Sequence, residues 1–176
     1  MPQKHRLFIA SFIAPELSGK IEGIISSFRH DCFQPVPLEN LHITYAFLGN
    51  RDEAEIPVIK DILPSLNEQL CGMSFCLGGI AAFEQHGSKS PLVLKLTLSK
   101  DISHFIDKVK MALSCTEARP FIPHITIGKI RKEYAGGAIS GLEKCFGKID
   151  INFPMPPAVL AKSITSEKGS VYSIIS

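Results

Sequence analysis

The sequence predicts an α+β fold of two similar lobes related by approximate two-fold symmetry. Two observations predict it. Strand-like and helix-like segments alternate, and each half reads strand, helix, break, strand, helix, strand. The string His-Ile-Thr also occurs twice, in "LHIT" at 41–44 and "PHIT" at 123–126, each time on the strand after the break. The repeat lies in pattern rather than in residue identity. It puts the two His-Ile-Thr strands in equivalent positions, facing one another across a cleft, in one domain spanning residues 1–176.

The elements follow from spacing. "RLFIASFI" (6–13) is rich in Ile and Phe and reads as a strand. Pro15 suits the first turn of a helix, and Leu17, Ile21, Ile24, Ile25 and Phe28 continue at helical spacing. "QPVP" breaks the chain before the strand "LHITYAFLG" (41–49), which Gly49-Asn50 ends. Ile56, Ile59, Leu63, Leu66 and Leu70 form a second helical stripe, which Pro64 should kink or split. "SFCLGGIAAF" (74–83) is a strand weakened by Gly78-Gly79, and "EQHGSKS" is a polar loop. The order then recurs: strand "PLVLKLTL" (91–98), a helical stripe of Ile102, Phe105, Ile106, Val109 and Leu113, the break "RPF", and strand "PHITIGKI" (123–130). A short helix over 138–146 precedes the strands "KIDINF", "AVLAKSIT" and "SVYSII", separated by Pro154–Pro157 and Glu167–Gly169. Gly78-Gly79 and Gly136-Gly137 lack a strand–GxGxxG–helix context and read as turns or bulges.

Composition bounds the function. A hydrophobic fraction of 45% can fill a core, and 20% charged residues argue against disorder. A net charge of +2 argues against a broad grip on duplex nucleic acid, while leaving room for a basic cleft around one phosphate. The 5 cysteines are odd in number and form no C-x-x-C pair. That speaks for reduced thiols in a cytoplasmic protein, and against a disulfide framework or zinc ribbon. The run "KHRLFIASFIAPEL" stops at Pro15-Glu16 and reads as a strand and a helix start rather than a signal peptide. No segment approaches the roughly 20 apolar residues of a membrane span. A monomer with no membrane partner and no obligate protein partner is expected.

Side chains alternate faces along a strand, so His42 and Thr44 share one face while Ile43 and Tyr45 take the other. His124 and Thr126 likewise oppose Ile125 and Ile127. The isoleucine side suits the core, and Tyr45 belongs with it; the His/Thr side then looks into a polar cavity. In-line displacement at phosphorus needs a base for the attacking oxygen and an acid for the leaving one. Two imidazoles supply both near neutral pH, and two hydroxyls can hold the non-bridging oxygens. One such motif alone reads as an imidazole capped by a hydroxyl. Two in matched strands read as a site. Zinc would need further ligands, and neither motif contains Asp, Glu or Cys; no metal or other cofactor is expected.

"ENLHITYAFLG" and "RPFIPHITIGKI" closely resemble the paired H-x-T-x motifs of the two-histidine (2H) phosphoesterases, and among them the RNA 2′,3′-cyclic phosphodiesterases, or 2′-5′ RNA ligase-like proteins. The opening "RLFIA" strand and the stretch Ser166 to Tyr172 add weaker likeness. The resemblance implies antiparallel sheets lining a V-shaped central cleft, with helices packed outside. It implies metal-independent opening of an RNA or nucleoside 2′,3′-cyclic phosphate to a 2′-phosphomonoester. His42 would be the proton donor and His124 the proton acceptor, with Thr44 and Thr126 binding phosphate. Related proteins also ligate RNA ends through 2′-5′ bonds. The alternatives are a non-catalytic module for RNA ends or nucleotides, and a phosphodiesterase for linear 2′-5′ oligonucleotides. The absence of Trp, with "LVLKL" before the second helix, and Lys129 in place of an Arg leave base preference open.

Arg119, in the break before the second motif, could swing toward phosphate. Tyr172 and Phe83 could stack on a base or pack edge-on. His86 could touch RNA from the polar loop, although a surface histidine is the simpler reading. Lys129 and Arg131 have the opposite parity from His124 and point away from the cleft if the strand stays regular.

Overall fold

The computed structural model describes residues 4–27, 31–84, 87–115, 119–146, 152–166 and 169–175. In chain order these form β1 (Lys4–Phe12), α1 (Pro15–Ser27), β2 (Phe33–Pro35), β3 (His42–Asp52), α2 (Ile56–Lys60), α3 (Leu63–Leu70), β4 (Ser74–Ala82), β5 (Lys89–Leu98), α4 (Ser103–Ala112), β6 (His124–Arg131), α5 (Ala135–Phe146), β7 (Phe153–Pro154), β8 (Val159–Ser166) and β9 (Gly169–Ile174). None of these helices is long and apolar enough to cross a membrane. The α+β class is as expected.

Local chemistry sets the helix boundaries. Pro15 opens α1, where a missing N–H costs nothing. Pro64 lies in the first turn of α3 and divides the predicted second helix into α2 and α3. Leu17, Ile21, Leu66, Leu70, Ile106 and Val109 are buried, so the apolar stripes face one core. Gly78-Gly79 marks a register shift in β4, with Gly79 at φ +121°. Gly136-Gly137, read as a turn or bulge, instead lies in the first turn of α5. Pro154, expected as a separator, ends the two-residue strand β7, at the sheet edge where a residue lacking a donor is tolerated. The rest of "KIDINF" lies largely outside the described residues. "QPVP" contains part of an unforeseen strand, β2.

The strands run in the order β7-β4-β5-β6-β3-β1-β8-β9, with β2 added to β6, and their pairings are antiparallel. The two His-Ile-Thr strands, β3 and β6, are the central pair. They stand side by side, joined by one bridge, Ile43 to Ile125. The spatial halves are interleaved in sequence: β4 joins the hairpin with β5, while β8 returns to lie against β1. Hairpin neighbours pair readily, which draws β4 away from its own sequence half.

Both central strands carry the same irregularity. Ile9 pairs with Ala46 and Ala10 with Thr44, leaving Tyr45 as an extra residue in β3. Leu92 pairs with Gly128 and Val93 with Thr126, leaving Ile127 as an extra residue in β6. Tyr45 and Ile127 are each the third residue after the motif histidine. An extra residue inverts the alternation beyond it. Ile125, Ile127 and Ile130 are all fully buried, and Lys129 and Arg131 are exposed. The strand does not stay regular, so the condition under which Lys129 and Arg131 would point away from the His/Thr face is not met: the bulge returns both to that face, exposed. Phe47 is the matching residue in β3, and it is 45% exposed.

Gly128, just past the second bulge, is held to glycine by close approach. A Cβ there would run into the Phe33 ring and stand 2.7 Å from the Gln34 carbonyl oxygen of β2. Gly128→Ala should therefore destabilise by roughly 1–3 kcal/mol, the range for overpacking. A lowered denaturant midpoint with unchanged slope is the expected result; an unchanged midpoint would mean that β2 does not press on β6 in solution.

Candidate active site

His42 and His124 each open a central strand. The Ile43–Ile125 bridge sets His42 across from Thr126 and Thr44 across from His124, on the face opposite the isoleucines. Ile43 and Ile125 are fully buried, whereas the two histidines and two threonines are half-buried. The face assignment read from strand alternation therefore holds for these residues, and for Tyr45, which is 1% exposed. The Tyr45 hydroxyl lies 2.9 Å from the Ser11 hydroxyl, and burial pushes its pKa up to about 12. It is a neutral anchor between β3 and β1.

The two imidazoles are held in the same way. His42 Nδ1 lies 2.6 Å from the Asn40 carbonyl oxygen, and His124 Nδ1 lies 2.6 Å from the Ile122 carbonyl oxygen. A carbonyl only accepts, so each Nδ1 carries the hydrogen. That leaves Nε2 of each ring as the nitrogen that can gain or lose a proton. Asn40 sits in a one-turn 3-10 segment, Leu38–Asn40, and its side-chain amide donates to the Ser170 carbonyl at 2.9 Å. That bond ties the support of His42 to β9.

Their surroundings differ. His42 is ringed by Phe8 at 5.3 Å, Phe12 at 5.6 Å and Tyr172 at 5.2 Å between centroids, with Tyr172 edge-on. Burial holds the His42 pKa below the ordinary value; its bond to Asn40 works against this, and the nearby charge of His124 adds a smaller downward push. The two rings stand diagonally across the Ile43–Ile125 bridge, on adjacent strands. His124 meets one described aromatic ring, Phe83, at 4.7 Å and 64°. Tyr172 and Phe83 therefore both pack edge-on against the histidines.

A cavity of about 350 Å³ brings Thr44, His124, Thr126 and Arg119 together between Phe47 and Phe83. His42 stands beside it, across the strand pair. Arg119 is thus carried to the site. A larger cavity, about 610 Å³, lies around α3 and β7 and holds none of these side chains. His86 lies outside the described residues.

Sequence reasoning named Tyr172 and Phe83 but missed Phe8, Phe12 and Phe47 and one buried cation. Phe8 and Phe12 share a parity in "RLFIASFI", a signal that was there to be read. Phe47 was hidden because its face depends on the bulge. Lys110 also lines the cavity and is 9% exposed. It follows Ile106 by four residues, on the apolar stripe itself, where a lysine is out of place.

The 2′-5′ RNA ligase superfamily model matches residues 15–141. Among similar proteins, the RNA 2′,3′-cyclic phosphodiesterase of Archaeoglobus fulgidus is 25% identical over 174 residues, covering 95% of this chain and 96% of that protein. The RNA 2′,3′-cyclic phosphodiesterase of Methanocaldococcus jannaschii is 25% identical over 173 residues, covering 97% and 98%. Among solved structures, TT0787 of Thermus thermophilus superposes with a TM-score of 0.69 at 23% identity, covering 97% of this chain and 95% of that one. E. coli LigT complexed with 3′-AMP superposes with a TM-score of 0.64 at 18% identity, covering 99% and 96%. The matched region contains both His-Ile-Thr strands and the helices behind them, and the chain belongs to the 2′-5′ RNA ligase superfamily, the two-histidine phosphoesterases.

Proposed function

We propose that this protein opens the 2′,3′-cyclic phosphate of an RNA end or a nucleotide, giving a 2′-phosphomonoester and a free 3′-hydroxyl. The observation that carries the reading is the matched pair of imidazoles: both fixed through Nδ1, on adjacent strands, on one face with both threonines. Full-length relatives named RNA 2′,3′-cyclic phosphodiesterase support it.

The chemistry follows from the arrangement. Thr44 and Thr126 hydroxyls donate to the non-bridging oxygens and hold phosphorus between the strands. His124 Nε2 takes a proton from water as the water oxygen bonds to phosphorus. The bond from phosphorus to the 3′ oxygen breaks, and His42 Nε2 gives that oxygen its proton. Each turnover leaves the two histidines with exchanged protonation, and solvent resets them. A ribose hydroxyl attacking in place of water would give a 2′-5′ linkage by the same proton transfers. His42 as donor and His124 as acceptor follow the family pattern. A low pKa makes His42 a stronger acid toward an alkoxide, while reducing the fraction of it protonated at neutral pH.

The test is hydrolysis of the four nucleoside 2′,3′-cyclic monophosphates and of an RNA with a cyclic end, in EDTA, with products identified as 2′-phosphates. His42→Ala and His124→Ala should each abolish turnover with the fold retained by circular dichroism. Thr44→Ala and Thr126→Ala should lose on the order of 10²-fold in kcat, as for one oxyanion donor. Full activity in either histidine variant would falsify the assignment. A protein that binds the cyclic nucleotides without turning them over would be a binding module instead.

The rate should follow a bell in pH, because one imidazole must be charged and the other neutral. One limb belongs to His42 and falls below the ordinary imidazole value of 6.5, because burial disfavours its charged form. Tyr172→Ala opens the His42 ring to water, favours the charged form and should move that limb toward higher pH. NMR titration of the His42 ring checks the sign: an unmoved or lowered midpoint would mean that the aromatic ring around it is not what depresses it.

A further inference from the structure

Lys110 is the feature that the proposed mechanism leaves unused. It lies on α4, whose Ile106 and Val109 pack into the core behind the sheet. Its side chain is nonetheless in the lining of the cavity that holds Thr44, His124 and Thr126. The same cavity touches Tyr45 and Phe121 on the core side, so it passes between the strands from the His/Thr face toward the helix. The strands allow this because they bridge only at Ile43–Ile125. On one side of the bridge, β2 pairs with Gly128–Ile130 and closes the gap. On the other, Thr44 to Phe47 and residues 119–124 flank an open wedge with Lys110 in it.

The charge balance of this wedge is one-sided. Among the described residues, the polar partner of the Lys110 ammonium is the Arg119 carbonyl oxygen, at 2.9 Å. No described carboxylate pairs with it, and Glu84, which also lines the cavity, is not within ion-pair distance. An ammonium has three donors and a full charge, and burying it without a counter-charge is costly. A plain structural role, fastening the 119–123 segment that holds His124, needs one neutral hydrogen bond and no charge. The charge is explained if an anion completes the site.

We infer that Lys110 is a phosphate ligand of the active site, reaching a non-bridging oxygen of the substrate phosphate through the open wedge. The inference rests on the proposed reading of this site as a phosphoesterase centre, and it adds a fixed ammonium to the threonine hydroxyls, in the cavity that Arg119 also lines. A cyclic diester carries one negative charge and its pentacoordinate transition state carries more. A fixed ammonium therefore strengthens its hold as the reaction proceeds.

Two variants separate charge from fastening. Lys110→Gln keeps a donor for the Arg119 carbonyl and removes the charge; Lys110→Met removes both. The probe is inorganic phosphate, and the readout is its effect on thermal midpoint, which does not require turnover. Phosphate should raise the midpoint of the wild-type protein clearly more than that of either variant. Without phosphate, Lys110→Gln should melt at or above the wild type, because a buried unpaired charge has gone. With cyclic nucleotides, kcat/KM should fall roughly 10²-fold in both variants, mostly in kcat. A phosphate response equal in Lys110→Gln and wild type, or none in the wild type, overturns the inference. Loss confined to Lys110→Met, with Lys110→Gln behaving as wild type, also overturns it and leaves a fastening role. If Lys110→Met does not fold, Lys110→Gln alone decides. His42→Ala and His124→Ala separate the two proposals: they should lose turnover and keep the Lys110-dependent phosphate response.

Discussion

One backbone bridge, between Ile43 and Ile125, decides what this molecule can do. It fixes the register of the central strands, and register fixes which side chains share a face. With the two isoleucines paired and buried, His42, Thr44, His124 and Thr126 have no choice but to gather on the other face. A slip of one residue would bury the imidazoles and expose the isoleucines. Core packing behind the bridge therefore holds the chemistry in front of it.

That the strands separate beyond this bridge is as consequential as the bridge itself. A continuous ladder would present a closed surface, with side chains but no depth. Here β6 turns to pair with β5 along its length and β3 with β1. Their divergence leaves a gap that β2 fills on one side only. The two-fold pattern of strand order is thereby broken where a substrate would sit. One imidazole lies deep among Phe8, Phe12 and Tyr172, and the other borders the open wedge beside Phe83 and Arg119. Two residues of the same His-Ile-Thr string come to lie in different surroundings. Solvation is the largest influence on the His42 charge state.

The bulges act in the same way. An extra residue at Tyr45 and at Ile127 resets the alternation in both strands. It brings Phe47 onto the site face in β3, and Lys129 and Arg131 onto it in β6. It also requires Gly128 to lie tight against β2, since the Phe33 ring occupies the space a Cβ would take. A local irregularity of backbone thus sets the lining of the site without any change in which residues are present.

The α+β class, most of the helices, the split at Pro64, the family, and the four motif residues with their common face were all legible in the linear chain. Each rests on short-range periodicity or on a motif, and both survive in a linear reading. Folding in three dimensions made the motif strands neighbours, exchanged β4 and β8 between the halves, and let the bulges invert parity. It also placed Lys110 of α4 and Arg119 beside the threonines. Lys110 is a charge on an apolar stripe, but nothing in the stripe says where that charge goes. Strand pairing and the gaps between strands depend on contacts between residues far apart in the chain, which local spacing does not encode.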